Sequence, residues 1–295
     1  MRYPVLLSLL AALVCFATPC GAQLLDNPRA VAMGAVRGDP VANSAVIHNP
    51  AGLSRAYLYF AEAVYLRDGA GHNVAGVNIV DSKTQRQLAV GVAYGYQFTD
   101  SDADVITDGH DVRLSMAHPF SDRIHIGVGL HYVHLDRSIP TEEGQEPVEV
   151  DDLKGFTVDA GLLIDAGQGL TIGLVGENLV DLGDPALPRR AGGGVAFAAE
   201  AFSLGVDLLA DFDRHPADET ALIFEAGAEL LLADAVPMRV GYTWDGALEQ
   251  SWIGGGLGFL TRGEGTKGGQ VSISYRHNLD VEGEYVLAGG LTLFL

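Results

Sequence analysis

Several residues in this sequence have side chains that could do chemistry, and their spacing is the first guide to function. The segment GEGTKG, residues 263–268, fits the Gly-x-Gly-x-x-Gly pattern of nucleotide-binding turns. That pattern works between a strand and a helix, whereas the residues after this segment read as another strand, so it predicts a hairpin loop. The sequence also has no Gly-x-Ser-x-Gly segment, which is typical of the nucleophile turn of α/β-hydrolases.

Three histidines, His125, His131 and His134, are close together in the sequence. His125 and His131 fall on the same face of a predicted strand, but six residues of strand span roughly 20 Å. Ligands of a single metal ion lie within about 2.3 Å of it. The histidines therefore predict polar packing rather than a metal site, and no residue pattern indicates a cofactor.

Charged residues recur on the polar face of the predicted strands. Carboxylates can act as general acids and bases, but an unpaired buried charge is costly. We therefore expect Asp159, Glu225 and Glu229 to pair with Arg113, Arg239 and Arg276, and the sequence predicts no catalytic residue and no enzyme. The charged residues predicted to face an interior lumen are Arg113, Asp159, Glu177, Asp207, Glu225, Glu229, Arg239 and Arg276.

The elements that must position these side chains are strands with alternating apolar and polar residues. In FSLGVDLLADF, residues 202–212, alternate residues from Phe202 to Phe212 are apolar, and Ser203, Gly205, Asp207 and Asp211 fall on the other face. RIHIGVGLHYVH, residues 123–134, alternates in the same way. Fourteen such strands are predicted, at residues 56–66, 72–80, 87–98, 109–119, 123–135, 154–165, 169–179, 189–199, 201–212, 221–232, 237–246, 250–261, 269–278 and 284–295.

An even number of strands of this length, one face apolar and the other polar or glycine, is typical of an antiparallel transmembrane β-barrel. Tight turns such as GQG partly alternate with long acidic loops such as TDSDADVITDG. A soluble β-sandwich, which also alternates, is the other interpretation. Aromatic residues at predicted strand ends favour the barrel, because they suit the membrane interfaces: Tyr65, Tyr96, Phe98, Phe120, Tyr132, Phe212, Tyr242 and Trp244.

The first 22 residues predict a secretory signal peptide, with Arg2 before an apolar run and small residues at its end. A membrane anchor is the alternative, but the apolar run is short for a span. Both cysteines, Cys15 and Cys20, lie in this segment, so the fold does not depend on disulfides. Removing Arg2 from the 18 basic residues leaves 17 against 38 acidic ones, which argues against nucleic acid as a partner.

Residues 23–55 do not read as strands. Asn27 before Pro28, and Asp39 before Pro40, each predict an N-cap followed by a short helix. Pro50 prevents the second helix from continuing, and Gly52 allows a tight turn. A fourteen-strand barrel is too wide for its own side chains to fill. We therefore predict that residues 23–55 form a helical hatch inside a barrel of residues 56–295.

The segment NPRAVAMGAV…NSAVIHNPAGL resembles the N-terminal hatch of the FadL family of outer-membrane fatty-acid transporters, and it is similar to the related PorV/PorQ-type proteins. Arg29, Met33 and Gly34 match an Arg-x-x-x-Met-Gly pattern, and Asn49, Pro50 and Ala51 match an Asn-Pro-Ala triplet, followed here by Gly52. The resemblance implies a fourteen-strand barrel with an internal hatch in the outer membrane of a Gram-negative cell. We expect Asn49, Pro50 and Ala51 to hold the hatch in place.

The chain departs from that family in its longest predicted loop, residues 138–153. This loop is acidic and would repel a fatty-acid carboxylate. Two functions therefore stay open. One is a channel for hydrophobic compounds, with a hydrophobic small molecule and outer-membrane lipid as partners. The other is a non-transporting PorV-like barrel that docks secretion-system or surface proteins.

Overall fold

The computed structural model describes residues 24–100, 103, 105–141, 148–217, 219–263 and 267–295. The predicted signal peptide and residues 142–147 of the predicted acidic loop lie outside the described residues. The helices are α1 (Pro28–Met33), α2 (Ala42–Ile47) and a 3₁₀ helix (Pro50–Ser54). The strands are β1 (Tyr59–Asp68), β2 (His72–Asp81), β3 (Ala89–Thr99), β4 (Ile106–Pro119), β5 (Ile124–Ile139), β6 (Val148–Glu149), β7 (Leu153–Gly167), β8 (Leu170–Glu177), β9 (Arg190–Ala198), β10 (Phe202–Asp211), β11 (Ala221–Leu232), β12 (Val236–Asp245), β13 (Gln250–Arg262), β14 (Gly268–Asn278) and β15 (Tyr285–Phe294).

Fourteen of these strands form a closed antiparallel barrel, which confirms the predicted fold. Each strand pairs with its neighbour in the chain, β5 pairs with β7, and β15 pairs with β1 to close the wall. The two-residue β6 lies outside this ring, because it pairs only with the far end of β5. It was not predicted, and its pairing extends β5 to Ile139, beyond the predicted end at residue 135.

The two faces of the strands have the predicted assignment. In β10, Leu204 and Leu208 are 50% and 51% exposed, whereas Ser203 and Asp207 are buried. The buried face is turned towards an enclosed lumen and not towards a second sheet, so the sandwich interpretation is wrong. Most of the aromatic residues predicted for the membrane interfaces are exposed on the outer surface: Tyr65, Tyr96, Phe120, Phe212, Tyr242 and Trp244.

The connections between strands differ in length at the two ends of the barrel. At one end, which we call the turn end, β7 and β8 are joined by residues 168–169 and β9 and β10 by residues 199–201. The opposite loop end carries longer connections, such as residues 178–189 and 212–220. No helix in the described part of the chain is long and apolar enough to cross a membrane.

The hatch, of which residues 24–55 are described, lies inside the lumen. Its apolar side chains, among them Leu25, Val31, Val46 and Leu53, join a buried cluster that also contains wall residues such as Phe60. The core of the molecule is therefore built by packing the hatch against the inner face of the barrel, as expected for a lumen that the strands alone cannot fill.

Candidate functional site at the hatch and the cavity above it

The first helix of the hatch begins at the predicted cap. The side-chain oxygen of Asn27 accepts a hydrogen bond from the backbone N–H of Ala30 at 3.0 Å, and Pro28 follows at the first helical position. The helix ends at Gly34, whose φ of +68° is readily adopted only by glycine. A Cβ atom at Gly34 would also lie 2.7 Å from the hydroxyl of Thr243. The Met-Gly pattern thus marks the end of α1 at the wall, where Met33 is fully buried.

The second predicted cap is wrong. The helix α2 starts after Val41, and no side chain caps it. Asp39 instead accepts a hydrogen bond from Arg29 at 3.1 Å and another from Arg55. Charge-assisted hydrogen bonds are stronger than neutral ones, so these two arginines hold the carboxylate away from α2. Asp39 therefore links the first helix of the hatch to the segment that leads into β1.

Asn49 links two segments of the hatch. Its side chain is buried; Nδ2 donates to the carbonyl oxygen of Arg37 at 3.0 Å, and Oδ1 accepts from the N–H of Ala51 at 3.2 Å. Both partners belong to the hatch and not to the barrel wall. A Cβ atom at Gly52 would lie 2.6 Å from the carbonyl oxygen of Pro40. Residues 49–52 thus define the internal shape of the hatch.

The hatch main chain touches a belt of glycines in the wall. A Cβ atom at Gly227 would lie 2.5 Å from the carbonyl oxygen of Met33, and one at Gly127 would lie 2.8 Å from the Cα of Ala51. Real Cβ atoms essentially never come closer than 3.0 Å to such neighbours. The wall therefore needs glycine at these places for the hatch to reach it. The glycine belt comprises the wall glycines where a hatch backbone atom would come closer than 3.0 Å: Gly127, Gly173, Gly227, Gly241 and Gly254.

Arg37 is the charged residue that joins the hatch to several strands, and it is only 3% exposed. Its Nε donates to Glu177 of β8 at 2.6 Å, and its Nη1 donates to Glu225 of β11 at 2.5 Å. Asp207 of β10 accepts from the backbone N–H groups of Val36 and Arg37 at 2.9 and 2.8 Å. Three predicted lumenal carboxylates thus converge on one short hatch segment.

Sequence reasoning missed Arg37. A signal was available, because the predicted lumenal set contains five acids but only three arginines. Such an excess of carboxylates in a wall requires donors from another part of the chain. The expectation that Glu225 pairs with Arg113, Arg239 or Arg276 is wrong for this reason, since the hatch supplies its partner.

Of the other lumenal charged residues, some have the predicted partner and some do not. Glu229 pairs with Arg239 at 2.5 Å, as expected. Asp159 instead accepts from the backbone N–H of Asn178 at 2.7 Å. Arg113 lies 3.3 Å from Asp111 and donates to the carbonyl oxygen of Ile47 in the hatch at 3.1 Å. Polar wall residues therefore bind backbone groups, some of them in the hatch, as well as one another.

The histidines are placed apart and have different partners. His125 Nδ1 is 2.8 Å from the hydroxyl of Ser54, and His131 Nε2 is 2.9 Å from a carboxylate oxygen of Asp111. Among the described residues, no group of three or more His, Cys, Asp or Glu side chains is arranged to bind a metal ion. The glycine-rich segment 263–268 connects β13 to β14, although its residues 264–266 lie outside the described part.

Asp26 and His48 pair across the hatch at 2.9 Å. Burial by itself would raise the pKa of the Asp26 carboxyl. The charge of His48 and its hydrogen bond outweigh burial and hold that pKa below its usual value. This pair fastens the start of the hatch to the end of α2.

A cavity of about 860 Å³ remains in the lumen between the hatch and the loop end. Glu225 and Thr243, which contact hatch residues, are among its lining residues, and connections of the loop end surround its upper part. Its volume is within the range of small-molecule sites, roughly 300–1,000 Å³. The lining includes apolar Leu209, Ile223, Trp252 and Val286 and charged Arg190, Arg214, Arg276, Asp245 and Glu284.

Two of the cavity arginines belong to one ion-pair network. Arg214 lies 2.6 Å from Asp211 and 2.8 Å from Asp245, and Arg190 lies 3.1 Å from Asp211. Burial alone would lower the pKa of the Arg214 guanidinium, but these two carboxylates outweigh it and raise that pKa. The network neutralises charge along one side of the cavity.

Comparison with known proteins identifies the fold. No protein-family model and no curated protein sequence matches the chain. Solved structures do match: a Pseudomonas aeruginosa FadL homologue with TM-score 0.64 and 10% identity, over 93% of this chain and 98% of that one. The Ralstonia pickettii toluene transporter TbuX matches with a TM-score of 0.63 and 12% identity, over 91% of this chain and 97% of that one. The Pseudomonas putida toluene transporter TodX matches with a TM-score of 0.65 and 9% identity, over 94% of this chain and 99% of that one.

These matches extend over 91–94% of the chain. The chain therefore has the fold of the FadL-type transporters: a closed fourteen-strand barrel with a small helical segment at its N-terminal end. At about 10% identity the likeness establishes the fold alone, and function has to be argued from the lumen.

Proposed function

We propose that this chain is an outer-membrane channel for hydrophobic compounds and that the hatch controls its lumen. The exposed apolar face of the strands suits lipid, and closure of the ladder satisfies the backbone groups within it. The structural neighbours include a toluene transporter and a monoaromatic hydrocarbon channel. Each of them shares its fold with this chain over 91% of the chain.

The observation that carries the proposal is the cavity above the hatch. A barrel that served only as a scaffold would need no space of about 860 Å³ inside its wall. The cavity is bounded below by the level at which Arg37 binds Glu225. A compound that enters from the loop end would therefore stop at the hatch until the hatch moves.

Within this proposal, the role of the motif Asn49, Pro50, Ala51 and Gly52 is to keep the hatch in one shape. Asn49 fastens residue 51 to residue 37 through its amide, and Arg37 then fastens the hatch to the wall. Arg29 acts similarly through Asp39. Loosening this internal network should change passage through the lumen before it affects the barrel, whose strength lies in the closed ladder.

The test is uptake into liposomes that contain the purified protein, with hydrophobic and polar solutes measured side by side. We expect faster entry of hydrophobic solutes than in protein-free liposomes. The double variant Asn49→Ala, Pro50→Gly should alter this entry and keep the heat-modifiable gel band of the folded barrel. If neither form passes any solute, the channel is refuted, and a barrel that docks surface proteins becomes the better proposal. Loss of the band would make the motif a folding element instead.

A further inference from the structure

One arginine of the cavity lacks the partners that the others have. Within the described residues, Arg276 of β14 makes neither a hydrogen bond nor an ion pair, and its Nε is buried without a partner. Its guanidinium lies over the ring of Trp252 at 4.8 Å from the centroid. Both residues line the cavity. A guanidinium offers five N–H donors, so this stacked arginine has donors to spare.

The carboxylates around the cavity do not supply the missing anion. Glu225 is bound by Arg37 and Asp245 by Arg214. Glu284 accepts from Asn278 at 2.6 Å, and Asp68 accepts from the backbone N–H of His72 at 2.9 Å. These four acids are bound to other donors, and within the described residues no carboxylate of the lining is hydrogen-bonded to Arg276. The donors of the Arg276 guanidinium are therefore not used by a wall carboxylate.

The apolar part of the lining is divided into small patches. Leu209 lies between Asp207 and Asp211 on the lumen face of β10. Val286 is the register partner of Arg276, so an apolar side chain stands directly beside the guanidinium. Together with the Trp252 ring, this surface fits a small apolar body better than a long extended chain.

We propose that Arg276 and Trp252 form a binding site for a compact organic anion, a carboxylate attached to a small aromatic or aliphatic body. The carboxylate would accept two parallel hydrogen bonds from the guanidinium, and the body would lie against the Trp252 ring and Val286. This inference narrows the substrate class of the proposed channel. Binding at the site does not depend on the proposed function; only passage of the bound compound through the barrel does.

The described part of the acidic loop that was predicted to repel carboxylates does not border this site. The cavity lining comes from β1 and from strands β9–β15 with their loop-end connections, together with the connection after β8. No described residue of the connection between β5 and β7 contributes to it. At about 0.15 M salt, exposed charges are screened beyond about 8 Å, so charges of the cavity lining, and not exposed charges farther away, set the potential at Arg276.

The chain offers a direct optical probe, because it has two tryptophans, Trp244 and Trp252. Trp244 faces outwards, so Trp244→Phe leaves Trp252 as the sole fluorophore. This variant, folded in detergent micelles, is titrated with benzoate, with benzyl alcohol as the uncharged match in shape, and with decanoate. We expect saturable quenching by benzoate and at least tenfold weaker binding of benzyl alcohol.

In the same background, Arg276→Gln should weaken benzoate binding tenfold or more, and Arg276→Lys should retain part of it. Arg123→Gln, an exposed arginine at the turn end, should leave it unchanged. Equal binding of benzyl alcohol, or unchanged binding in Arg276→Gln, would overturn the site. Tighter binding of decanoate than of benzoate would overturn the compact body. Benzoate binding without uptake refutes only the channel, whereas uptake without binding refutes only this site.

Discussion

Replacing Arg37 by Met should release the hatch from the wall while the barrel stays folded. The guanidinium is buried and binds Glu177 and Glu225 at 2.6 and 2.5 Å. The substitution keeps most of the side-chain volume but leaves both carboxylates in the lumen without their counter-charge. Removing one partner of a buried ion pair typically costs about 3–5 kcal/mol. Because about 1.4 kcal/mol is a tenfold change in an equilibrium constant, docking of the hatch should weaken about a hundredfold to several thousandfold.

Hydrogen exchange measures this weakening directly and does not depend on transport. In the Arg37→Met protein, amides of residues 24–55 should lose protection by up to that factor, because they exchange when the hatch undocks. Amides of the strands should be unaffected. Opening of the hatch should also raise the single-channel conductance of the protein in planar bilayers.

The matched control is Arg239→Met. Arg239 pairs with Glu229 at a similar distance, but both residues belong to the wall. This variant removes the same charge from the same lumen, and the hatch should stay protected. If the two variants expose the hatch equally, net lumenal charge and not the Arg37 contact holds the hatch. If Arg37→Met leaves hatch protection unchanged, the contact carries little of the docking energy.

Three further outcomes are expected. Leu208→Arg should impair assembly, since a charge at the lipid-facing midplane costs about 2–4 kcal/mol. Ser203→Arg, on the lumenal face, should have a milder effect. Equal yields of folded, heat-modifiable protein from the two variants would contradict the face assignment. Gly241→Val should displace the hatch, because a Cβ atom at position 241 would lie 2.6 Å from the carbonyl oxygen of Ala32. Gly289→Val is the control, since a Cβ atom at position 289 meets nothing within 4 Å. Similar hydrogen exchange of the hatch in the two variants would contradict the role of the glycine belt. The folded pKa of Asp26 lies below its usual 3.8, so the stability that its carboxylate contributes is lost as pH falls through the lower value. Hatch protection should therefore be lower below about pH 4 than at about pH 5; an equally steep drop in Asp26→Asn would assign the step to other groups.

The barrel was predictable because its signal is local and repeated. Each strand separates lipid from lumen, so period-two alternation such as that of residues 202–212 appears along the whole wall. The cap at Asn27 was predictable for the same reason, since a cap uses residues within one turn of the helix. Strand ends were less certain, as at β5, because its last residues are fixed by pairing with β4 and β6 and not by their own pattern.

The contacts of the candidate site were not predictable in the same way. Asp39 has the spacing of a cap, but arginines 10 residues before and 16 residues after it bind it instead. Glu225 reaches Arg37 across 188 residues of sequence. Such pairings depend on which hatch residue stops beside which strand, and this is set by the fit of the hatch main chain to the glycine belt.

The glycine belt also determines where this sequence is free to drift. At Gly173, Gly227 and Gly241 the nearest atoms of the hatch belong to its backbone, and a backbone is the same whatever side chains it carries. At these contacts the hatch residue can change its side chain without losing the contact, whereas the glycine that receives it cannot gain even a methyl group. At such places the wall is more restricted in sequence than the plug that it holds. A barrel constrained in this way can keep one architecture at the 10% identity that separates it from a solved structure of the same fold.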